Sequence, residues 1–320
     1  MKGTRPFIFE EAAHRADTQF ANMNGRVPFS ELAAALAAAL RRNVESRPES
    51  RVHGGSINDC HRWQTATGPV FVKVCPRERG WILDAEADGL ERLRAVAALR
   101  VPAVLARGVA GGEAFLALEW LDLRPADAAA DRAMGAALAL LHRVHGTSYG
   151  LDRDNAIGAT AQANGTLADW PAFWRERRLG SQLDLAARNG HAGRLQDRGR
   201  RLMEQLAAFF EGYSPAPSLL HGDLWGGNRA ALADGTPVVF DPAVYYGDRE
   251  TDVAMTRLFG GFGAGFYAAY ESEWPLDPGA ATRRDLYNLY HVLNHLNLFG
   301  GGYRLQAESM IDRLLAAAGH

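Results

Sequence analysis

The sequence predicts an α+β chain of two lobes, a small β-rich N-terminal lobe with one long helix and a larger, mainly helical C-terminal lobe. Three observations predict it. The chain has 320 residues, and at about 150 residues per domain that length suggests two units. Short strand-like runs punctuated by glycine and proline crowd the stretch up to Trp120, whereas helical periodicity dominates beyond it. Hydrophobic residues make up 47% and charged residues 22%, ordinary usage for a chain that buries a sizeable core.

The elements follow in order. Residues 1–28 have no clear period and read as a disordered extension, with Met23 an alternative start to Met1. Residues 30–42 predict a helix, with Ser30 as N-cap and a run of Ala and Leu of high helix propensity. Residues 51–56, 59–65 and 70–74 read as strands, with Gly54-Gly55 and Gly68-Pro69 as turns. Residues 80–98 are helical, and 101–109 and 114–120 are two further strands. The N-terminal lobe is thus 29–120 and the C-terminal lobe 121–320. In the latter, 126–145 is an apolar helix and 147–169 a loop rich in Gly, Asn and Thr. Helices follow at 170–189 and 194–212, then an irregular, β-like stretch at 218–249. Residues 250–318 read as helices broken by glycines at 260–265 and 300–302.

Composition excludes several classes. No apolar run approaches the roughly 18–20 residues of a membrane span, and the start lacks the apolar segment of a secretory signal. A cytoplasmic protein without a membrane partner is expected. The net charge of −2 argues against nucleic-acid binding through bulk charge. Cys60 and Cys75, the two cysteines, cannot build a disulfide framework or a four-thiolate zinc site. Of 35 basic residues only Lys2 and Lys73 are lysine, which looks like the bias of a GC-rich genome. A lysine retained inside such a chain stands where a compact point charge suits better than the broad arginine fork, or stands there by chance.

The strongest chemical signal is His221-Gly222-Asp223-Leu224-Trp225-Gly226-Gly227-Asn228. An Asp followed five residues later by Asn, in a loop opened by His, has the spacing of a kinase catalytic loop. There the Asp accepts the proton of the acceptor hydroxyl and the Asn ligates magnesium. Alone, the string also fits a solvated turn. The next segment adds to it: Asp234-Gly235 signals a two-residue hairpin loop. Ala233 then pairs with Thr236 and Arg229 with Phe240, and Asn228 falls opposite Asp241. An amide and a carboxylate beside Asp223 make an oxygen-rich site suited to Mg²⁺.

The N-terminal lobe supplies a phosphate side. Gly54, Gly55, Ser56, Ile57 and Asn58 lie between two strand runs, where glycines let main-chain N–H groups approach phosphates or simply make a turn. Lys73 lies within the apolar strand VFVKV, costly unless paired. Glu86, in the following helix, is its natural partner, and a strand lysine held by a helix glutamate is the kinase arrangement. The plainer alternative is a solubilising edge-strand charge. The main chain at Glu119, Trp120 and Leu121, where strand gives way to connector, is placed to hydrogen-bond an adenine.

Acceptor contacts are less sharply indicated. Trp225, two residues past the base, is placed either to stack on a sugar or to pack between loop and helix. Tyr245, Tyr246, Asp248 and Glu250 follow the metal segment, and a carboxylate there suits a cationic amine, although Asp248 equally suits the cap of the next helix. Asn155, Gln162 and Asn164 in the mid-chain loop, and Trp170 and Trp174 at the start of the next helix, are further pocket candidates. His291 and His295 have the spacing of a metalloprotease zinc pair, but position 292 is Val where that motif requires Glu, so they read as structural or pocket-lining. The glycine run at 260–265 does not fit a dinucleotide fingerprint.

The strings LLHGDLWGGN, PVVFDPAVYYGDRETDVAMTRLFGGF, DNAIGATAQANG, FWRERRLGSQL and LYNLYHVLNHLNLFGGGY resemble the fructosamine/ketosamine-3-kinase family, over about residues 52 to 303. That family belongs to the protein-kinase-like superfamily with the aminoglycoside and choline kinases. The resemblance implies a bilobal protein-kinase-like fold and ATP- and Mg²⁺-dependent phosphorylation of the 3-hydroxyl of a ketosamine, a sugar adduct of a free amine or of a protein lysine. The 3-phosphate product of the family is unstable and releases the amine, which implies deglycation and protein repair. It implies Asp223 as base, Asn228 and Asp241 as metal ligands, and Lys73 with Glu86 and the 54–58 loop on the phosphates. Some relatives carry a cysteine where Ser56 stands, which puts redox control through that loop in doubt here. The chain would act as monomer or homodimer. A kinase for an aminoglycoside, choline or another sugar shares the same core residues. A non-catalytic kinase-like binding protein is disfavoured, since lysine, base and metal residues are all present.

Overall fold

The computed structural model describes residues 27–52 and 58–319, which fall into two compact units. One holds the described residues up to Asp84 together with Val104–Trp120, and the other holds Ala85–Ala103 and the chain from Leu121 onward. The sequence expectations on residues 1–26, and on Gly54, Gly55, Ser56 and Ile57, lie outside the described residues.

The first unit is a five-stranded antiparallel sheet in the order β1-β2-β3-β5-β4, with β1 Ser50–Arg51, β2 Asp59–Thr65, β3 Gly68–Pro76, β4 Val104–Ala110 and β5 Glu113–Glu119. Helix α1, Phe29–Leu40, lies on one face. Its buried Leu32, Ala33, Leu36 and Leu40 recur at helical spacing. They pack on Trp63, Val70, Val72, Val74 and Phe115, the alternate residues of the strands. By the same alternation Lys73 faces away from this core, yet it is only 5% exposed. Arg41, at φ +54, closes the helix, with the Arg42 N–H returning to the Ala37 carbonyl.

Helix α2, Gly80–Val96, begins in the first unit and passes into the second at Ala85. Within the second unit, α3 (Ala128–His142) is capped by Asp127, whose carboxylate accepts from the Ala129 and Ala130 N–H groups at 2.9 and 2.8 Å. Helices α7 (Glu250–Leu258), α8 (Ala264–Glu273), α9 (Ala280–Phe299) and α10 (Tyr303–Ala318) follow the second half of the chain. The long α9 is the apolar centre, burying Leu286, Tyr287, Leu289, Tyr290, Val292, Leu293 and Leu296. No helix among the described residues is long and apolar enough to cross a membrane.

Four local expectations are corrected. The stretch 147–169 is not all loop: β6 (Asn155–Ile157) and β7 (Thr160–Gln162) form a hairpin too short to show a period. The helix expected at 170–189 divides into α4 (Trp170–Phe173), a π-helical stretch Trp174–Gly180, and α5 (Ser181–Arg188). A Cβ at Gly180 would come within 2.9 Å of the Arg175 carbonyl, so glycine lets the widened turn close. The helix expected at 194–212 ends as α6 at Glu204, and a tighter 3₁₀ turn, Leu206–Phe210, buries Leu206, Phe209 and Phe210. Finally, in the hairpin of β9 (Arg229–Ala231) and β10 (Pro237–Val239), Arg229 pairs with Val239, one residue off the expected register. The loop has three residues, not two. The Gly235 N–H bonds the Leu232 carbonyl, Thr236 N–H bonds Asp234 Oδ1, and Gly235 takes φ +85.

Candidate active site

The site grows from two short ladders of the second unit. Strand β8, Ser218–Leu220, pairs with β11, Tyr245–Gly247, and delivers the chain into the loop His221–Asn228. The hairpin β9–β10 then carries it to Asp241. The register slip places Phe240 opposite Asn228, with the Phe240 N–H on the Asn228 carbonyl at 3.1 Å. Asp241, the next residue, still adjoins Asn228, because the Asn228 amide reaches the Asp241 carbonyl at 3.4 Å.

Asn228 is the centre of the constellation. Its Nδ2 also donates to the Asp223 carbonyl at 2.9 Å and to Asp223 Oδ2 at 3.2 Å. With the amide nitrogen so engaged, the amide oxygen remains as the donor atom. Asp223 and Asp241 are half-buried, and Asp241 sits at φ +56. Burial, with the nearby Asp241 charge, raises the Asp223 carboxyl to about 7, against the lowering hydrogen bond from Asn228. The residues fit a hard cation: two carboxylates and an amide oxygen are oxygen donors, and their like charges repel unless a cation lies between them. Among the described residues no cluster of three or more His, Cys, Asp or Glu side chains could hold a metal by itself.

The loop is suspended from α7 by a residue that the sequence reading did not single out. Asp252 accepts the His221 N–H at 2.7 Å on Oδ2 and the Gly222 N–H at 2.8 Å on Oδ1. His142 Nε2 lies 3.1 Å from Asp252 Oδ2, and His142 Nδ1 lies 2.8 Å from the Tyr270 hydroxyl, to which Arg249 donates at 3.1 Å. Burial alone would raise Asp252, yet the His142 hydrogen bond and the charge of that ring hold it below the usual carboxylate range. The signal was present in the sequence: an acid within the apolar run TDVAM must be paired if buried.

The His221 ring completes the loop. Its Nδ1 accepts the Asp223 N–H at 3.3 Å and its Nε2–H donates to the Phe240 carbonyl at 3.1 Å, which fixes the tautomer. Burial holds the ring below its ordinary pKa, so it stays neutral. Gly222 takes φ +82, and a Cβ there would lie 2.0 Å from the Ala243 carbonyl.

Of the remaining candidates, Trp225 is half-buried, against Gly227 and 6.2 Å from the Phe259 ring. His295, also half-buried, meets Phe259 at 4.9 Å and Tyr303 at 5.2 Å. His291 is buried, which lowers it to about 3, and its carbonyl accepts from His295 Nδ1. Asn155, Gln162 and Asn164 come together and bond the chain itself: Asn155 donates to the Val244 carbonyl at 2.8 Å and Gln162 to the Ala243 carbonyl at 3.1 Å. They brace the strand leading out of Asp241. Asp248 is fully buried and accepts from the Tyr213 and Tyr287 hydroxyls and the Glu250 N–H, the capping role. Glu250 is held by Arg283 at 2.8 and 3.0 Å. Trp170 and Trp174 are buried around Tyr287. Tyr245 lies under the Arg178 guanidinium at 4.0 Å, whereas Tyr246 is half-buried.

In the first unit, Lys73 lies between Cys60 of β2 and Leu116 of β5. Glu119 ends β5, Trp120 lies under the Arg62 guanidinium at 4.8 Å, and Asn58 precedes β2. Glu86, on α2, and Leu121 belong to the second unit.

Comparison with known proteins gives a consistent picture. A family model described as fructosamine kinase matches residues 28–317. A probable ketoamine kinase of Synechocystis is 40% identical over 92% of this chain and 99% of its own. A chloroplastic protein-ribulosamine 3-kinase of Oryza sativa is 40% identical over 83% of this chain and 78% of its own. The crystal structure of a putative fructosamine-3-kinase from Haemophilus somnus superposes with a TM-score of 0.80 at 29% identity, covering 89% of this chain and 96% of that one. An aminoglycoside phosphotransferase, at 15% identity and a TM-score of 0.61 over 91% of this chain and 99% of its own, shares the fold alone. The α+β architecture is that of the protein-kinase-like phosphotransferases.

Proposed function

The chain belongs to the fructosamine kinase family, and on that footing we propose that it transfers the γ-phosphoryl group of ATP to the 3-hydroxyl of a ketosamine. The observation that carries the reading is the convergence of Asp223, Asn228 and Asp241 through the Asn228 amide. Asp223 takes the proton of the acceptor hydroxyl on its carboxylate, and Asn228 fixes that carboxylate in place. The Asn228 amide oxygen and Asp241 hold Mg²⁺, which when bound neutralises charge on the phosphate oxygens. Lys73 and Glu86 are assigned to the phosphates, and the main chain from Glu119 to Leu121 to the adenine. Trp225, Tyr246 and His295, the partly exposed candidates, face the acceptor. Asn155, Gln162, Asn164, Asp248 and Glu250 support the site from behind.

The relatives named ketoamine kinase and protein-ribulosamine 3-kinase support a ketosamine acceptor, with a protein lysine among its amines. Loss of the unstable 3-phosphate then frees the amine, a deglycation. The test is ADP release from Mg-ATP with ribulosamine, fructosamine and aminoglycoside acceptors. Release with a ketosamine is expected, reduced by about 10²–10⁴ in Asp223→Asn, the range a general base contributes. Release with the aminoglycoside alone, or undiminished release in the variant, would reject the reading. Lys73→Arg is expected to be poorly active despite its retained charge.

A further inference from the structure

We propose that a cleft of the second unit bounded by α7, α9 and α10 binds a hydroxyl-bearing phosphomonoester. The cleft measures about 420 Å³, and Arg257, Arg284, Asp285, Asn288, Ser309 and Arg313 line it. That volume lies within the range of about 300–1,000 Å³ usual for small-molecule sites. It shares no residue with the catalytic loop or the β9–β10 hairpin, so this inference stands apart from the kinase reading.

Charge is the first observation. Three guanidinium groups meet one carboxylate. Arg313 reaches Asp285 Oδ2 at 3.3 and 3.4 Å, and Arg284 Nε stands 4.0 Å from Asp285 Oδ1. Arg257 stacks on the Tyr267 ring at 3.6 Å and forms no ion pair among the described residues. One Asp offsets one arginine, which leaves an excess matched in magnitude by a dianionic phosphate. Planar guanidinium forks suit phosphate oxygens in geometry as well as in sign.

Asn288 is the second and independent observation. It is 5% exposed, lines the same cleft, and its Oδ1 is buried with no hydrogen-bond partner among the described residues. A buried amide oxygen without a donor is rare and asks for one. An anion has no donor to give it, whereas a ligand hydroxyl does. The arginines and Asn288 therefore ask for two features of one ligand: a phosphate at the open rim and a hydroxyl at the inner wall.

The test uses the full chain saturated with Mg²⁺ and a non-hydrolysable ATP analogue, so that phosphate positions at the catalytic loop are occupied. Calorimetric titration with myo-inositol 1-phosphate, inorganic phosphate and myo-inositol then reads the cleft. Binding of the ester is expected, tighter than inorganic phosphate, with myo-inositol silent. Arg284→Ala/Arg313→Ala, at an exposed rim, should keep the wild-type circular dichroism and weaken the ester by about tenfold or more. Asn288→Leu should weaken the ester while sparing inorganic phosphate. Absence of ester binding, or unchanged affinity in the double arginine variant, would overturn the site. Equal affinity for ester and inorganic phosphate would overturn the hydroxyl contact.

Discussion

The Asp252 carboxylate accepts the main-chain N–H of His221 at 2.7 Å, so the residue that opens the loop to Asp223 hangs from the first turn of α7. Its other oxygen holds Gly222. One side chain thus sets the path of two consecutive peptide groups before the chain reaches Asp223.

Asp252→Asn is expected to damage both stability and turnover. The new amide must aim an N–H at a site that already presents main-chain N–H groups. Losing one such buried, charge-assisted bond costs about 1.5–3 kcal/mol. Urea unfolding should show that loss, and ADP release should fall at saturating ATP. Unchanged unfolding together with unchanged turnover would remove the anchoring role.

Acid should weaken the fold through His142. Burial lowers the native pKa of this ring below its ordinary value of 6.5. The unfolded state therefore binds the proton first. The stability contributed is fully present above 6.5 and is lost as pH falls below it. One proton is worth about 1.4 kcal/mol per pH unit. Asp223, raised by burial and the Asp241 charge, acts in the opposite sense over part of the window. The informative quantity is thus the difference between wild type and His142→Gln. The wild type should lose more stability from pH 7.5 to about 5.5, by up to that slope.

In protein stripped of divalent cations, the Asp223 carboxyl should titrate near 7, as burial and the Asp241 charge require. Carbon-13 NMR of labelled aspartate reads it directly. Asp241→Asn should lower the value only in part, because burial is the larger cause. Mg²⁺ with ATP should lower it further in wild type. A carboxyl that stays near 7 at saturating Mg-ATP would argue against a cation shared by these groups.

Arg283→Met should cost about 3–5 kcal/mol, because it leaves the buried Glu250 carboxylate without its partner. Adding Glu250→Leu should recover most of that loss, since the buried charge is then gone as well. A double variant no better than the single would show that the pair contributes more than mutual compensation.

Much of this site was legible in the sequence because its signals are local. The Asp223 to Asn228 spacing needs one loop, and the Asp234-Gly235 turn returns the chain to Asp241 whether its loop has two residues or three. The register itself was not legible: the Gly235 N–H on the Leu232 carbonyl and the Thr236 N–H on Asp234 Oδ1 select the three-residue loop, whereas a positive φ at Gly235 suits either length. Asp252 and His142 were missed because they act through contacts 31 and 110 residues apart in the chain, which no local period records. Asn155, Gln162 and Asn164 read as polar and so as pocket candidates. Composition cannot say whether an amide meets a ligand or, as here, the carbonyls of Ala243 and Val244. Helix α1 was easier, because Leu32, Ala33, Leu36 and Leu40 are buried at a spacing visible in the letters.

The backbone at Asp241, with φ +56, also shapes how this chain can drift over generations. Asn tolerates that left-handed conformation about as well as Asp, while most other L-residues resist it. A single nucleotide change converts an Asp codon into an Asn codon. The cheapest replacement here therefore preserves the architecture while removing a carboxylate from the oxygen cluster. On the function proposed above, lineages of this fold have a short path to a chain that still folds and has shed its chemistry.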